Sequence, residues 1–99
     1  MKQFDTVEMA SGGLALVLEP ISAWEQFPAF AKTWSTKLNC KELSGPIITV
    51  DECLLEVEIL GGEFYITYDD FQSSIQLEPR EVAFNDIILK LQMDLKNDH

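Results

Sequence analysis

Residues 47–78, IITVDECLLEVEILGGEFYITYDDFQSSIQLE, decide the fold. Apolar and polar side chains alternate through this stretch, the period of a half-buried β-strand. Asp51-Glu52, Gly61-Gly62 and Asp69-Asp70 divide it into four segments. Gly-Gly is a strong two-residue hairpin signal, and paired acidic residues also form turns. With each pair as a two-residue loop, Ile48 pairs with Leu55 and Val50 with Cys53. Across the second loop Ile59 pairs with Phe64, Val57 with Ile66 and Leu55 with Tyr68. Across the third, Tyr68 pairs with Phe71, Ile66 with Ser73 and Phe64 with Ile75. One face then stays apolar over all four strands, and a one-residue slip at any turn would break that agreement. The stretch reads as a four-stranded antiparallel meander.

Toward the N-terminus, residues 4–9 and 14–19 read as two further strands around the Ser11-Gly12-Gly13 turn, with Leu14, Leu16 and Leu18 facing the core. Ser22-Ala-Trp-Glu25 has the form of a capping box. Trp24, Phe27, Ala31, Trp34 and Leu38 follow at helical spacing, which predicts a helix over 22–39. Pro28 lies inside it and removes a backbone donor, so a kink or a separate first turn before Phe27 is expected. Beyond the meander, Pro79 suits a first helical position, and Phe84, Ile87, Ile88, Leu91 and Leu95 form the apolar stripe of a second helix from Arg80 to about Lys96. Leu-Glu-Pro recurs at 18–20 and 77–79, each time between a strand and a helix, which either an internal duplication or common junction chemistry explains.

The expected order is therefore ββαββββα. This is an α+β two-layer sandwich with both helices on one face of an antiparallel sheet. The 99 residues suit a single domain, and the 46% hydrophobic content, with ten aromatic residues, supplies a core. No apolar run reaches the about 18 residues that span a bilayer. Met1-Lys-Gln-Phe-Asp5 lacks an apolar leader segment, so a cytoplasmic setting with Cys40 and Cys53 as free thiols is expected.

Seventeen acidic residues against seven basic ones give a formal charge of -10. That balance argues against nucleic-acid binding, which needs clustered Lys and Arg. His99 is the sole histidine, so Ser-His-Asp and Cys-His catalytic sets are not available. Cys40 and Cys53 have no neighbouring histidine and no zinc spacing. Asp51-Glu52 and Asp69-Asp70 lack the ligand ladder of a calcium loop. Glu19 and Glu78 admit a paired-carboxylate reading, but a glutamate before a helix is also stabilised by the helix dipole. No phosphate-binding glycine loop occurs. No catalytic, cofactor-binding or metal-ligating residue is assigned, and no enzymatic activity is expected.

The meander register does assign a surface. The sheet face away from the helices should carry Glu56, Thr67 and Gln72 in one row, Glu58, Tyr65 and Ser74 in the next, and Leu60, Glu63 and Gln76 in a third. Glu56, Glu58, Glu63, Tyr65, Thr67 and Gln72 are thus the candidate partner surface, either an acidic platform for a basic protein or an ordinary solvated face. Trp24 and Trp34 are expected in the core, and either one found exposed would mark a binding groove.

Two stretches, Trp24-Glu-Gln-Phe27-Pro28-Ala-Phe-Ala31 and the run from Leu55 to Glu78, resemble a family of small, uncharacterised cytoplasmic proteins of gammaproteobacteria of about this length. Gln76 departs from that pattern, which carries a tryptophan there. The resemblance implies a bacterial cytoplasmic protein and assigns no activity or site.

Three functional classes follow. The first is a non-enzymatic interaction or regulatory module for a basic protein, an antitoxin-like or nucleic-acid-mimicking inhibitor being its sharper form. The second is a small-ligand-binding or carboxylate-based enzymatic domain, which needs an apolar cleft with convergent acids. The third is a structural homodimer built on the sheet. No nucleic acid or membrane is expected as a partner.

Overall fold

The structure, a computed structural model, describes residues 4–49, 52–70 and 72–97. Seven strands and two helices follow in chain order. They are β1 (Thr6–Glu8), β2 (Leu14–Pro20), α1 (Phe27–Lys37), β3 (Lys41–Glu42), β4 (Ile47–Ile48), β5 (Cys53–Ile59), β6 (Gly62–Asp69), β7 (Ser74–Pro79) and α2 (Asn85–Asn97). All strand pairs are antiparallel, in the order β1-β2-β7-β6-β5-β3, with β4 also paired to β5. The fold is α+β, an open antiparallel sheet with the helices packed against it, as the alternation predicted.

The sheet is built by parity. Leu55, Val57, Ile59, Phe64, Ile66, Ile75 and Leu77 are buried on one face, where they meet Phe27, Ala31 and Trp34 of α1 and Ile88 and Leu91 of α2 in one core. Ile87 and Leu95 of α2, with Phe84 just before it, pack at the edge of that core. Phe4 packs edge-to-face on Trp34, with ring centroids 6.2 Å apart. Two polar side chains fasten α2 to the N-terminal hairpin. Asn85 accepts from Leu14 N at 2.9 Å and donates to Gly12 O at 3.1 Å, and Gln92 donates to Phe4 O at 2.7 Å.

Several details differ from the sequence reading. The turn between β5 and β6 is Leu60-Gly61, with φ of 51° and 85°, so both central residues are left-handed, as a type I′ hairpin requires. Ile59 therefore pairs with Gly62, Val57 with Phe64 and Leu55 with Ile66. Gly62 is inside the strand because Phe64, Phe84 and Ile87 occupy the space of a side chain there: an added Cβ would stand 3.0–3.2 Å from them. The next connection is four residues, 70–73, so Tyr68 pairs with Ile75, Ile66 with Leu77 and Phe64 with Pro79. Ile48 pairs with Cys53, and Thr49 N donates to Glu52 O at 2.7 Å across that turn. The expected pairings of Val50 and Phe71 lie outside the described residues.

The outer edge of β5 is shared. Lys41–Glu42 adds as β3 where no strand was expected, and the strand anticipated from residue 47 is only two residues long in the described part. Pro28 gives a separate first turn: a 3₁₀ turn spans Trp24–Gln26 and α1 begins at Phe27, which puts Pro28 in the first helical turn, where no backbone donor is lost. The residue that reaches back is Gln26, whose Oε1 accepts from Ser22 N and Ala23 N, in place of Glu25. Pro79 closes β7, and a 3₁₀ turn at Val82–Phe84 precedes α2. Among the described residues, no helix is long and apolar enough to cross a membrane.

Candidate functional site

The face of the sheet away from the helices carries a cross-strand block of acidic side chains. Glu56 of β5 is opposite Tyr65 of β6, which is opposite Glu78 of β7. In the next row Glu58 is flanked by Glu63 on β6 and Lys41 on β3. Arg80 continues the chain beyond β7 and pairs its guanidinium with Glu63, while its backbone N donates to Glu63 O at 3.0 Å. On the other side of the Tyr65 row, Leu54, Thr67 and Gln76 are aligned. Among the described residues Arg80 is the one cation ion-paired with this face; the other two pairs are Lys32–Glu42 and Lys90–Asp94.

Five of the six candidate surface residues, Glu56, Glu58, Glu63, Tyr65 and Thr67, are therefore together on one face. Gln72 is not. The four-residue connection carries it off the sheet into an exposed turn, where its N donates to Asp69 Oδ1 at 3.4 Å. The rows are also regrouped, because the strands are slid by even numbers of residues relative to the expected register. Gln76 enters the face beside Thr67 and is nearly fully covered, with Nε2 donating to Asp69 Oδ2 at 3.2 Å and to Ser74 Oγ at 3.3 Å.

Glu78 and Asp69 belong to this surface and were missed, since both looked like junction or turn residues. Thr67 Oγ1 donates to Glu78 Oε2 at 2.9 Å. Burial pushes the Glu78 carboxyl above its usual range, the Asp69 charge adds to the rise, and the Thr67 hydrogen bond opposes it. Glu19 is elsewhere. β2 carries an extra residue between Val17, opposite Gln76, and Glu19, opposite Ile75. This bulge turns Glu19 to the helix side, where it accepts the indole N–H of Trp34 at 2.6 Å. Glu19 and Glu78 thus face opposite sides of the sheet and form no catalytic pair.

A cleft of about 460 Å³ runs from the acidic face over the end of the sheet where β5 begins and β6 ends. Tyr65, Thr67 and Asp69 of β6 and Glu78 of β7 line it together with Trp24, Thr49, Glu52 and Asp70 from outside the strands. The two tryptophans divide. Trp34 is 1% exposed in the core, whereas Trp24 is 50% exposed on the cleft wall. Partial burial and the Asp70 carboxylate push the Tyr68 phenol, also on the cleft, above its ordinary range. Among the described residues no three His, Cys, Asp or Glu side chains converge as metal ligands. Cys53 is in the core, as its register position predicted, and Cys40 is half-buried; both are free thiols. Burial pushes the Cys40 thiol up to about 11 against the Ser35 hydrogen bond, with Glu42 adding to the rise.

Comparison with protein-family models, with curated proteins and with solved structures finds no match to this chain.

Proposed function

We propose that this protein is a non-enzymatic interaction module of a bacterial cytoplasm that docks a basic protein on its acidic sheet face. The observation that carries this reading is the contiguity of Glu56, Glu58, Glu63 and Glu78 around Tyr65, on a face that no helix covers. Clustered carboxylates on a rigid sheet attract a cationic surface and orient it during encounter. A partly exposed tyrosine at the centre supplies contact area at little entropic cost. The same carboxylates oppose face-to-face pairing of two copies of this chain, which disfavours a homodimer built on this surface.

The test is comparative affinity capture at low ionic strength from a lysate of the source cells, with mass spectrometry. The wild-type chain should retain a specific basic protein that Glu56→Lys/Glu58→Lys releases and that added salt elutes, because exposed charge contacts are screened within about 10 Å at 0.1 M salt. Recovery of the bait alone, or identical recovery by the charge-reversed variant, overturns the reading. The cleft supports a second reading, a site for a free cationic small molecule, and the experiment below separates the two.

A further inference from the structure

We infer that the cleft between Trp24 and the Thr67–Glu78 pair is the anchor of the docking contact and receives an arginine side chain of the basic partner. This inference rests on the reading of the sheet face as a docking surface and adds the chemical group that the surface recognises.

Shape and chemistry both support it. The cleft, at about 460 Å³, has the size of sites that enclose small organic groups, and it opens onto the acidic face. A side chain from a protein seated on Glu56, Glu58 and Tyr65 can therefore enter without leaving that face. A tryptophan that is half exposed while its neighbour in the same segment, Phe27, is fully buried leaves an indole surface without an intramolecular cover. Thr67 and Glu78 line the same cleft, with Thr67 Oγ1 donating to Glu78 Oε2 at 2.9 Å. Among the described residues no Lys or Arg lines the cleft or pairs with Glu52, Asp70 or Glu78.

A cleft lined by both an indole and carboxylates suits a planar cation better than a compact one. A guanidinium stacks on an indole while its N–H fork reaches a carboxylate, whereas an ammonium is a strongly hydrated point charge. Among the described residues no three carboxylates converge as metal ligands. Glu78, whose charge is disfavoured by partial burial, is relieved by a cation beside it.

The test is an NMR titration of the ¹⁵N-labelled full chain with the capped peptide acetyl-Gly-Arg-Gly-amide and its citrulline and lysine counterparts. The two indole N–H signals provide an internal control. The Trp24 signal and the Thr67 and Asp69 amides should move saturably, and the Trp34 signal should stay in place. The citrulline peptide, isosteric but neutral, should bind at least roughly fivefold more weakly, and the lysine peptide should fall between. Trp24→Ala should abolish the shift at Thr67, and Thr67→Val provides a second variant that keeps the indole.

Equal binding of the citrulline peptide overturns the inference, as does equal binding of the lysine peptide or tighter binding of free arginine than of the capped peptide. Shifts confined to the β5 and β6 residues around Glu58 and Glu63, with Trp24 and Thr67 unmoved, also overturn it while leaving the docking surface intact. Loss of the captured partner in Glu56→Lys/Glu58→Lys tests that surface separately.

Discussion

The indole nitrogen of Trp34, in α1, donates to the carboxylate of Glu19, in β2, at 2.6 Å. Strict alternation along β2 would place Glu19 on the opposite face of the sheet from α1. The extra residue between Val17 and Glu19 reverses that parity, so one bulge both satisfies the only polar atom of a buried tryptophan side chain and removes a carboxylate from the open face.

Removing either partner should cost stability. Trp34→Phe loses a charge-assisted hydrogen bond and leaves unfilled volume, an expected loss of about 2–4 kcal/mol. Glu19→Leu strands the indole N–H at a cost of about 1–3 kcal/mol, while Glu19→Gln keeps an acceptor and should cost less. Urea unfolding followed by far-UV circular dichroism measures all three, and equal stability of Glu19→Leu and Glu19→Gln would contradict the assignment.

The β5–β6 turn makes a position-specific prediction. Gly62→Ala places a methyl 3.0–3.2 Å from Phe64, Phe84 and Ile87, and the overpacking should cost about 1–2 kcal/mol. Gly61→Ala meets no neighbouring atom but is held at φ 85°, a cost of about 1 kcal/mol from backbone conformation alone. Leu60, 65% exposed at φ 51°, is the poorest residue for its site, and Leu60→Asn should stabilise by about 0.5–1 kcal/mol. Thermal unfolding of the three variants should rank Leu60→Asn above the wild type and both alanine variants below it.

Glu78 predicts a pH dependence of stability. Its carboxyl is raised in the folded chain by burial and by Asp69, so the folded state holds that proton more tightly than the unfolded state does. The penalty for its charge is absent below the unfolded value of 4.5 and grows as pH rises through the folded value. Glu56, Tyr65 and Asp69 on the neighbouring strands, and Thr67 as donor, set the local field. Glu78→Gln keeps an acceptor for Thr67, so it should be at least as stable as the wild type near neutral pH, by less than about 1 kcal/mol. The variant should also lose the fall in stability just above pH 4.5. Denaturant unfolding from pH 4 to 8 checks both; a variant that destabilises at pH 7 would contradict the desolvation account.

The cleft should show its charge through its tryptophan. Relative to their quenching of free tryptophan, caesium should quench the Trp24 fluorescence more effectively than iodide, because Glu52, Asp69, Asp70 and Glu78 share the cleft with it. Trp34, in the core, should resist both ions. The caesium preference should shrink at high salt as screening takes over. Equal quenching by the two ions at low salt, each taken relative to its quenching of free tryptophan, would contradict a negative cleft.

The even spacing of apolar residues made the sheet faces legible. Strand parity has a period of two, so the actual slips of two residues at β4–β5 and β5–β6 and of four at β6–β7 leave the described apolar residues within these strands on the side first inferred, while Leu60, expected on the open face, falls in the turn. Glu56, Glu58, Glu63, Tyr65 and Thr67 were found together for that reason. Parity carries no information about which residues are opposite one another, so Gln72 was placed wrongly and Glu78 was missed. The choice between Gly61-Gly62 and Leu60-Gly61 as the turn depends on Phe84 and Ile87, which approach only when the 3₁₀ turn before α2 and the start of α2 fold onto the sheet.

By itself, then, the sequence determined the class of fold, the composition of the core and the existence of an acidic face, because each depends on local periodicity and net charge. Tertiary structure alone decided the strand order that joins the N-terminal hairpin to β7, the bulge that takes Glu19 to Trp34, and the separation of a buried Trp34 from a half-exposed Trp24. Each of these depends on contacts between segments far apart in the chain, where packing and hydrogen-bond satisfaction select among arrangements that the local pattern leaves equivalent.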